Sequence, residues 1–211
     1  MMTAERVHLV RHGEVFNPDG VLYERLPGFG LSEYGRTLAL SAVTSIDRER
    51  VSALVVSPLQ RTKESVQPWE TATGLTAIDD DRVIEPWNEF RGLNLRGGRS
   101  LVTRPDLWRF LVNPAKPSWG EPYIDIADRM LAAMWSAAES VDAGDVVIVT
   151  HQLPIWMAHL ALAGERLAHN PARRRCSLSS VTSFDVHPSG LVESGYWEPR
   201  AVESAIDGGA V

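Results

Sequence analysis

Short apolar segments alternate along this chain with longer segments in which apolar residues recur every three or four positions. The segment from Val146 to Val149 constrains the fold most, because every one of its residues is apolar. Such a continuous run is typical of a strand buried on both faces at the centre of a parallel sheet. Strands that alternate with helices predict an α/β fold, with a mostly parallel sheet covered by helices on both faces.

The other predicted elements keep this alternation. Further strands are predicted at 7–10, 53–56, 75–78, 181–186 and 191–197. A first helix is predicted to follow Ser32 as its N-cap, and a second to follow Ser57, with Pro58 as its first residue. A third helix is predicted from Ile124 onwards, and a fourth begins at Pro154.

Charge and composition exclude several classes of protein. The net charge of −6 argues against a nucleic-acid surface, but local arginines can still bind a small anion. Cys176 is the only cysteine, which rules out an internal disulfide and fits a reducing compartment. No apolar run approaches the roughly 20 residues that cross a bilayer, so we expect a cytoplasmic protein with no membrane or nucleic-acid partner.

Length predicts a single domain over residues 1–211, with a frayed tail from about residue 200. The segment at about 93–122 has weak periodicity and is rich in tryptophan and arginine. It is either a cap insertion that selects the substrate or a helical excursion with core tryptophans and solvated arginines. The run Arg173 to Arg175 is interpreted as a solvated loop.

Charged and imidazole side chains follow three of the predicted strands. His12 and His151 come directly after strands, and Arg61 lies just beyond a third strand end. Because loops after parallel strands meet at one edge of a sheet, these side chains should gather there, together with Arg11.

The chemistry of this group predicts a phosphoryl-transfer site. Arg11 and Arg61 offer planar forks of donors that match phosphate oxygens, and His151 adds another donor. A neutral His12 is a competent nucleophile toward phosphorus, and a nearby carboxyl group must protonate the leaving oxygen. This mechanism needs neither a metal nor a cofactor, and His8 lacks the further ligands that a metal site requires.

Five motifs occur in the order found in a known family. They are Leu9 to Glu14, Gly30 to Gly35, Ser57 to Thr62, Asp80 to Glu85 and Val147 to His151. With these motifs the chain resembles the histidine phosphatase superfamily, the phosphoglycerate mutase-like group. The resemblance implies a three-layer α/β/α sandwich.

The resemblance also implies roles for individual residues. His12 would form a phosphohistidine intermediate in a phosphate pocket of Arg11, Arg61 and His151. Asn17, on the loop after His12, matches a position that often touches the phosphate.

The proton donor of the family maps to Glu85, and Glu89 is the rival, four residues further on. The chain departs from the family at Gln152 to Pro154, where glycines are common, and at Asn88 to Gly92, which replaces a Gly-x-Trp-Glu-Gly stretch. Both departures lie beside the expected pocket and bear on substrate choice.

The sequence therefore predicts a metal-independent phosphatase acting on a small phosphorylated metabolite. A mutase would instead return the phosphoryl group to a second hydroxyl. A catalytically silent phospho-ligand binding module is disfavoured, because a binder would need the arginines but not both histidines. The sequence predicts neither the physiological substrate nor the oligomeric state.

Overall fold

The computed structural model describes residues 3–93 and 120–200. Within them lie six β-strands and four α-helices, which we number in chain order. They are β1 (Arg6–Arg11), α1 (Glu33–Ala42), β2 (Val51–Val56), α2 (Gln60–Thr73), β3 (Ile78–Asp79), α3 (Tyr123–Glu139), β4 (Asp145–Thr150), α4 (Gln152–Leu162), β5 (Val181–His187) and β6 (Gly190–Trp197).

The strands form a single mixed sheet in the order β3-β2-β4-β1-β5-β6. The first four strands in this order pair in parallel. β5 runs antiparallel to β1, and β6 returns antiparallel to β5 as a closing hairpin. The prediction of a mostly parallel sheet is confirmed, and β4 lies near its centre with all six residues buried.

Helices cover both faces of the sheet, so the predicted three-layer α/β/α sandwich is confirmed. On β4, Val146 and Ile148 belong to the core beneath α3 and α4, where Met130, Met134 and Ile155 pack. The alternate residues of the strand, Val147 and Val149, belong to the opposite core, with residues of α1 and α2 such as Ala42, Val66 and Trp69. A strand whose side chains alternate between two cores must be apolar throughout, which explains the run that the sequence shows.

Two predicted helix starts are each wrong by two residues. α2 begins at Gln60 after Leu59, and Ser57 does not cap it. The Ser57 hydroxyl is instead hydrogen-bonded to Nε2 of His151 at 2.8 Å, which removes it from capping. α4 begins at Gln152, so Pro154 lies inside its first turn, where a missing backbone N–H costs nothing.

The loop after β1 lies directly against the start of α1. Ser32 is the N-cap, as predicted, and its hydroxyl accepts a hydrogen bond from the Gly35 amide at 2.9 Å. The same hydroxyl donates to the Glu14 carboxylate at 2.5 Å. A Cβ at Gly13 would overlap the carbonyl oxygen of Gly35, so only glycine permits this close approach.

Two of the predictions fall outside the described residues. The cap expected at about 93–122 and the frayed tail expected from about 200 lie almost wholly there. Among the helices of the described residues, none has the length and apolar character that crossing a bilayer requires.

Candidate active site

The carboxyl ends of β1 and β4 bring both predicted histidines to one edge of the sheet. The His12 amide donates to the Thr150 carbonyl oxygen at 3.1 Å, which ties the two strand ends together. The imidazole rings of His12 and His151 lie 5.2 Å apart, centroid to centroid, at an angle of 62°. The first turn of α2 adds Arg61 to the same edge, and β1 itself ends at Arg11.

His12 is held in one tautomer by its own backbone. Its Nδ1 lies 2.8 Å from the Gly13 carbonyl oxygen, and because a carbonyl can only accept, Nδ1 must carry the proton. Nε2 therefore bears the lone pair of the neutral ring. Burial first, and then the charges of Arg61 and Arg11, hold the pKa of His12 well below its ordinary value. A neutral imidazole with a defined nucleophilic nitrogen results.

His151 is fully buried beside His12. Its Nε2 is bound to the Ser57 hydroxyl, while its Nδ1 lies 3.3 Å from a carboxylate oxygen of Glu85. Burial, Arg61 and His12 all lower the pKa of His151 well below its ordinary value. In the described residues Nδ1 of His151 has no hydrogen-bond partner of ordinary geometry, so it remains open to a ligand.

Both predicted arginines are buried, and their charges act on His12. Nη1 of Arg11 donates to the carbonyl oxygen of Cys176 at 2.7 Å. Nη2 of Arg61 donates to the carbonyl oxygen of Glu24 at 2.7 Å, and its guanidinium lies 4.9 Å above the Tyr23 ring. Nε of Arg61 is buried without a partner in residues 3–93 and 120–200. A buried cationic donor beside an imidazole nitrogen, neither of which has a partner of ordinary geometry among the described residues, is suited to binding an anion.

Glu85 is the carboxyl group that the structure places in this cluster. It stands on a loop fixed by the Thr150 hydroxyl, which donates to the Val83 carbonyl oxygen at 2.5 Å, and by Arg25, which donates to the Glu85 carbonyl oxygen. Its side chain is 20% exposed and lies 3.9 Å from Nη2 of Arg61. Burial raises the pKa of Glu85, although Arg61 and Arg11 oppose the rise. The rival, Glu89, is exposed.

A cavity opens over this group, and Arg11, His12 and Glu85 line it. Apolar side chains line it as well, namely those of Leu22, Tyr23, Pro86, Trp87 and Leu153. The cavity therefore offers charged groups to a phosphoryl group and apolar surface to the group attached to it.

Arg174 also lines the cavity, which corrects the interpretation of Arg173 to Arg175 as a solvated loop. Its Nε donates to Nε2 of His169 at 2.9 Å, and its Nη1 donates to Gln152 at 3.3 Å. Arg175 does lie on the surface and pairs with Glu193. The sequence showed the basic run but not which of its members turns inward.

Glu24 is a second carboxyl group on the cavity wall, and the sequence analysis missed it. It is 5% exposed and has an unusual backbone φ of +38°. Nothing in the pattern around Tyr23, Glu24 and Arg25 distinguishes it from an ordinary loop carboxylate.

Asn17 is used within its own loop. Its amide donates to the carbonyl oxygen of Val21 at 2.8 Å and accepts from the Val21 amide at 3.0 Å. It is not among the residues that line the cavity. The contact between Asn17 and phosphate stays a prediction.

Three residues of the site carry atoms that could also bind a metal ion. Ligand atoms of His12, Glu85 and His151 lie within 4.8 Å of one another. The buried cations Arg11 and Arg61 beside them make the site a poor one for a divalent cation and a good one for an anion.

Sequence comparisons match nearly the whole described chain to one family and to two relatives. The model of the histidine phosphatase superfamily (branch 1) matches residues 7–196. An uncharacterised protein of Mycobacterium tuberculosis is 43% identical over 197 residues, which cover 93% of this chain and 98% of that protein. A probable phosphoglycerate mutase of Yersinia pestis is 29% identical over 206 residues, which cover 96% of this chain and 93% of that protein.

Solved structures share the fold. The mycobacterial glucosyl-3-phosphoglycerate phosphatase superposes with a TM-score of 0.70 at 24% identity, over 90% of this chain and 96% of that chain. The phosphoserine phosphatase of Entamoeba histolytica, in complex with 3-phosphoglyceric acid, superposes with a TM-score of 0.74 at 16% identity, over 92% and 98% of the two chains. At these identities the likeness establishes the architecture alone.

Proposed function

The chain belongs to branch 1 of the histidine phosphatase superfamily, and from this premise we propose that it is a metal-independent phosphatase of a small phosphorylated metabolite. The observation that carries the proposal is the state of His12. A neutral ring whose Nδ1 is bound to the Gly13 carbonyl oxygen presents Nε2 as a nucleophile beside two buried arginines. A protein that only bound phosphate would need the arginines but not this nitrogen.

In the first step, Nε2 of His12 attacks phosphorus and the bond from phosphorus to the leaving oxygen breaks. Arg11, Arg61 and His151 bind the non-bridging oxygens, and they stabilise the charge that redistributes over them. Glu85 gives its proton to the leaving oxygen as the alcohol departs. Burial suits Glu85 to this role, because the raised pKa of its carboxyl keeps the proton available.

In the second step, water attacks the phosphohistidine. The Glu85 carboxylate takes a proton from this water, the bond between phosphorus and Nε2 breaks, and inorganic phosphate leaves. The cycle ends with neutral His12 and protonated Glu85, so the residues of the site account for every proton that moves.

A mutase is the second candidate, supported by the 29% identity to a probable phosphoglycerate mutase. It would share the first step, but an alcohol would accept the phosphoryl group in place of water. Partition between water and added glycerol separates the two: a phosphatase releases mainly inorganic phosphate, whereas a mutase-like transferase forms glycerol phosphate.

The proposal is tested by hydrolysis of an aryl phosphate in excess EDTA. We expect wild-type protein to turn over and His12→Ala to lose at least about a thousandfold, because the covalent nucleophile is gone. Rapid quenching in denaturant at alkaline pH, where the P–N bond of phosphohistidine is stable, followed by mass spectrometry without acid, should find one added phosphoryl group on the peptide that contains His12.

The matched control is His187→Ala, which removes the exposed imidazole at the last residue of β5 and should keep full activity. Equal activity of the wild-type and His12→Ala proteins would refute the proposed nucleophile. Activity that disappears with EDTA alone would refute the metal-independent mechanism.

A further inference from the structure

We propose that Glu24 selects the leaving group by accepting a hydrogen bond from a hydroxyl or ammonium group that the substrate carries near its phosphate. The substrate class is then the phosphomonoester of a polyol or an amino alcohol. The inference rests on the proposed phosphatase function, because it assigns the part of the substrate that lies beyond the scissile bond.

The first observation is a buried carboxyl group that lacks a hydrogen bond of ordinary geometry. Glu24 lines the cavity that also holds His12 and Glu85, yet it is only 5% exposed. In residues 3–93 and 120–200, neither of its carboxyl oxygens has a hydrogen-bond partner of ordinary geometry, and the backbone amide of Asn88 makes only a weaker contact. Buried polar groups are almost always satisfied in native proteins, so this carboxyl indicates a donor that arrives with the ligand.

The second observation is that Arg61 and Arg25 donate their hydrogen bonds to groups other than the Glu24 carboxyl. Nη2 of Arg61 binds the backbone oxygen of Glu24 and not its carboxyl group. Arg25 donates to the Glu85 carbonyl oxygen and to the Glu121 carboxylate. Burial has the largest influence on the pKa of Glu24 and raises it, and the charge of Glu85 adds to the rise. The contact with the Asn88 amide and the charges of Arg91 and Arg25 oppose it.

The third observation is the strained backbone. The φ of +38° at Glu24 is a conformation that glycine adopts freely and glutamate rarely does. A residue that combines backbone strain with an unpaired buried carboxyl lowers stability twice, and such costs concentrate at functional sites.

Charge then decides which part of the substrate Glu24 can meet. A carboxylate repels the phosphoryl group, which the proposed mechanism assigns to the arginines. The partner of Glu24 must therefore be a donor on the alcohol portion. Hydroxyl and ammonium groups share this chemistry, and an apolar terminus would leave the carboxyl group unsatisfied.

The test uses three phosphate esters that differ at one terminal group: propyl phosphate, 2-hydroxyethyl phosphate and 2-aminoethyl phosphate. We expect kcat/KM of the wild-type protein to be at least about tenfold higher for one or both donor-bearing esters than for propyl phosphate. Glu24→Met, which removes the acceptor but keeps the backbone carbonyl, should abolish that preference, so that the three esters are turned over at similar kcat/KM.

Glu24→Gln identifies the donor. An amide oxygen still accepts from a hydroxyl but loses the charge that favours an ammonium group. If Glu24→Gln keeps the preference for 2-hydroxyethyl phosphate, the substrate is the phosphomonoester of a polyol. If Glu24→Gln loses a preference for 2-aminoethyl phosphate, the substrate is the phosphomonoester of an amino alcohol.

Stability separates this role from a structural one. Glu24→Gly relieves the strained φ and the buried carboxyl together, so its Tm should rise by about 2 to 4 °C. Glu139→Met, at an exposed carboxylate on α3, is the matched control and should change neither the Tm nor the ester preference.

An aryl phosphate assayed in parallel distinguishes two failures. If the wild-type protein hydrolyses neither the aryl phosphate nor any ester, the proposed phosphatase function is wrong. If it hydrolyses the aryl phosphate but turns over all three esters equally, or none of them, the assignment of Glu24 alone is overturned. An equal loss on all esters in Glu24→Met, with a lower Tm, would likewise overturn it in favour of a structural role.

Discussion

Burial shifts the pKa values of His12 and Glu85 in opposite directions for one physical reason. Both groups lose solvent that would stabilise their charged forms, so the pKa of the imidazole falls and the pKa of the carboxyl rises. The arginines reinforce the shift at His12 and oppose it at Glu85. At the scale of single residues, the site thus favours a neutral base and a protonated acid at the same pH, as the first step requires.

This pairing predicts how activity depends on pH. kcat/KM should rise as His12 loses its proton, below the ordinary histidine value of 6.5, and fall as Glu85 loses its proton, above the ordinary value of 4.5. Glu85→Gln should remove the falling limb and keep the rising limb. The kcat/KM of Glu85→Gln should fall by about 100- to 10,000-fold on an alkyl phosphate. The fall should be far smaller on an aryl phosphate, because a phenolate leaves without a proton.

The control for this experiment is Glu89→Gln, at the rival carboxylate four residues after Glu85. Because Glu89 is exposed, its substitution should leave both limbs in place. Division of each variant profile by the wild-type profile cancels the ionisation of the substrate. A falling limb that disappears in Glu89→Gln and persists in Glu85→Gln would show that the proton donor has been misassigned.

At the scale of elements, the position of Glu85 depends on a clamp between β4 and the loop at 80–85. Thr150 is the last residue of β4, and its buried hydroxyl donates to the Val83 carbonyl oxygen. Asp80 accepts from the amide and the guanidinium of Arg82, which holds the loop in a tight turn. The strand that presents His151 therefore also fixes the distance to the proton donor.

Thr150→Val removes the hydroxyl and keeps the shape of the side chain. The Val83 carbonyl oxygen would be left buried and unpaired, so the free energy of unfolding should fall by about 1 to 3 kcal/mol. We expect kcat on an alkyl phosphate to fall more than KM rises, since the variant misplaces Glu85 and not the arginines. Denaturant unfolding and steady-state kinetics measure both effects; Thr150→Ser, which keeps the hydroxyl, should restore kcat.

The sequence predicted those parts of the molecule that regular elements position. His12 and His151 follow strands of unmistakable apolar pattern, so the rule that parallel strands end at one edge was enough to place them together. Glu24 and Arg174 stand on loops, where no periodicity reports which side chain turns inward. Ser57 was assigned to a helix cap because local pattern cannot show that a histidine almost 100 positions further on binds its hydroxyl at 2.8 Å.

At the scale of the whole molecule, the site makes folding depend on pH. His12 and His151 have lower pKa values in the folded chain than the 6.5 of the unfolded chain. The unfolded chain therefore binds more protons below about pH 6.5, and stability must fall as the pH falls from there toward the folded pKa values. Glu85 and Glu24 act in the opposite sense, because their raised pKa values let the folded chain take up protons before the unfolded chain does.

The contribution of one histidine can be isolated by difference. As the pH falls below about 6.5, the free energy of unfolding should decrease less in His151→Gln than in the wild-type protein. The two slopes should differ by up to about 1.4 kcal/mol per pH unit, the value for one proton. Lost contacts to Ser57 add a constant offset and leave the slope unaffected, so urea unfolding across pH 5 to 8 reports the titration itself. The same substitution at exposed His187 controls for loss of an imidazole. The difference in unfolding free energy between His151→Gln and the wild-type protein could instead stay constant across this range. That result would mean that His151 has the same pKa in the folded and unfolded chains, and the inference of a neutral His151 ring in the folded chain would be wrong.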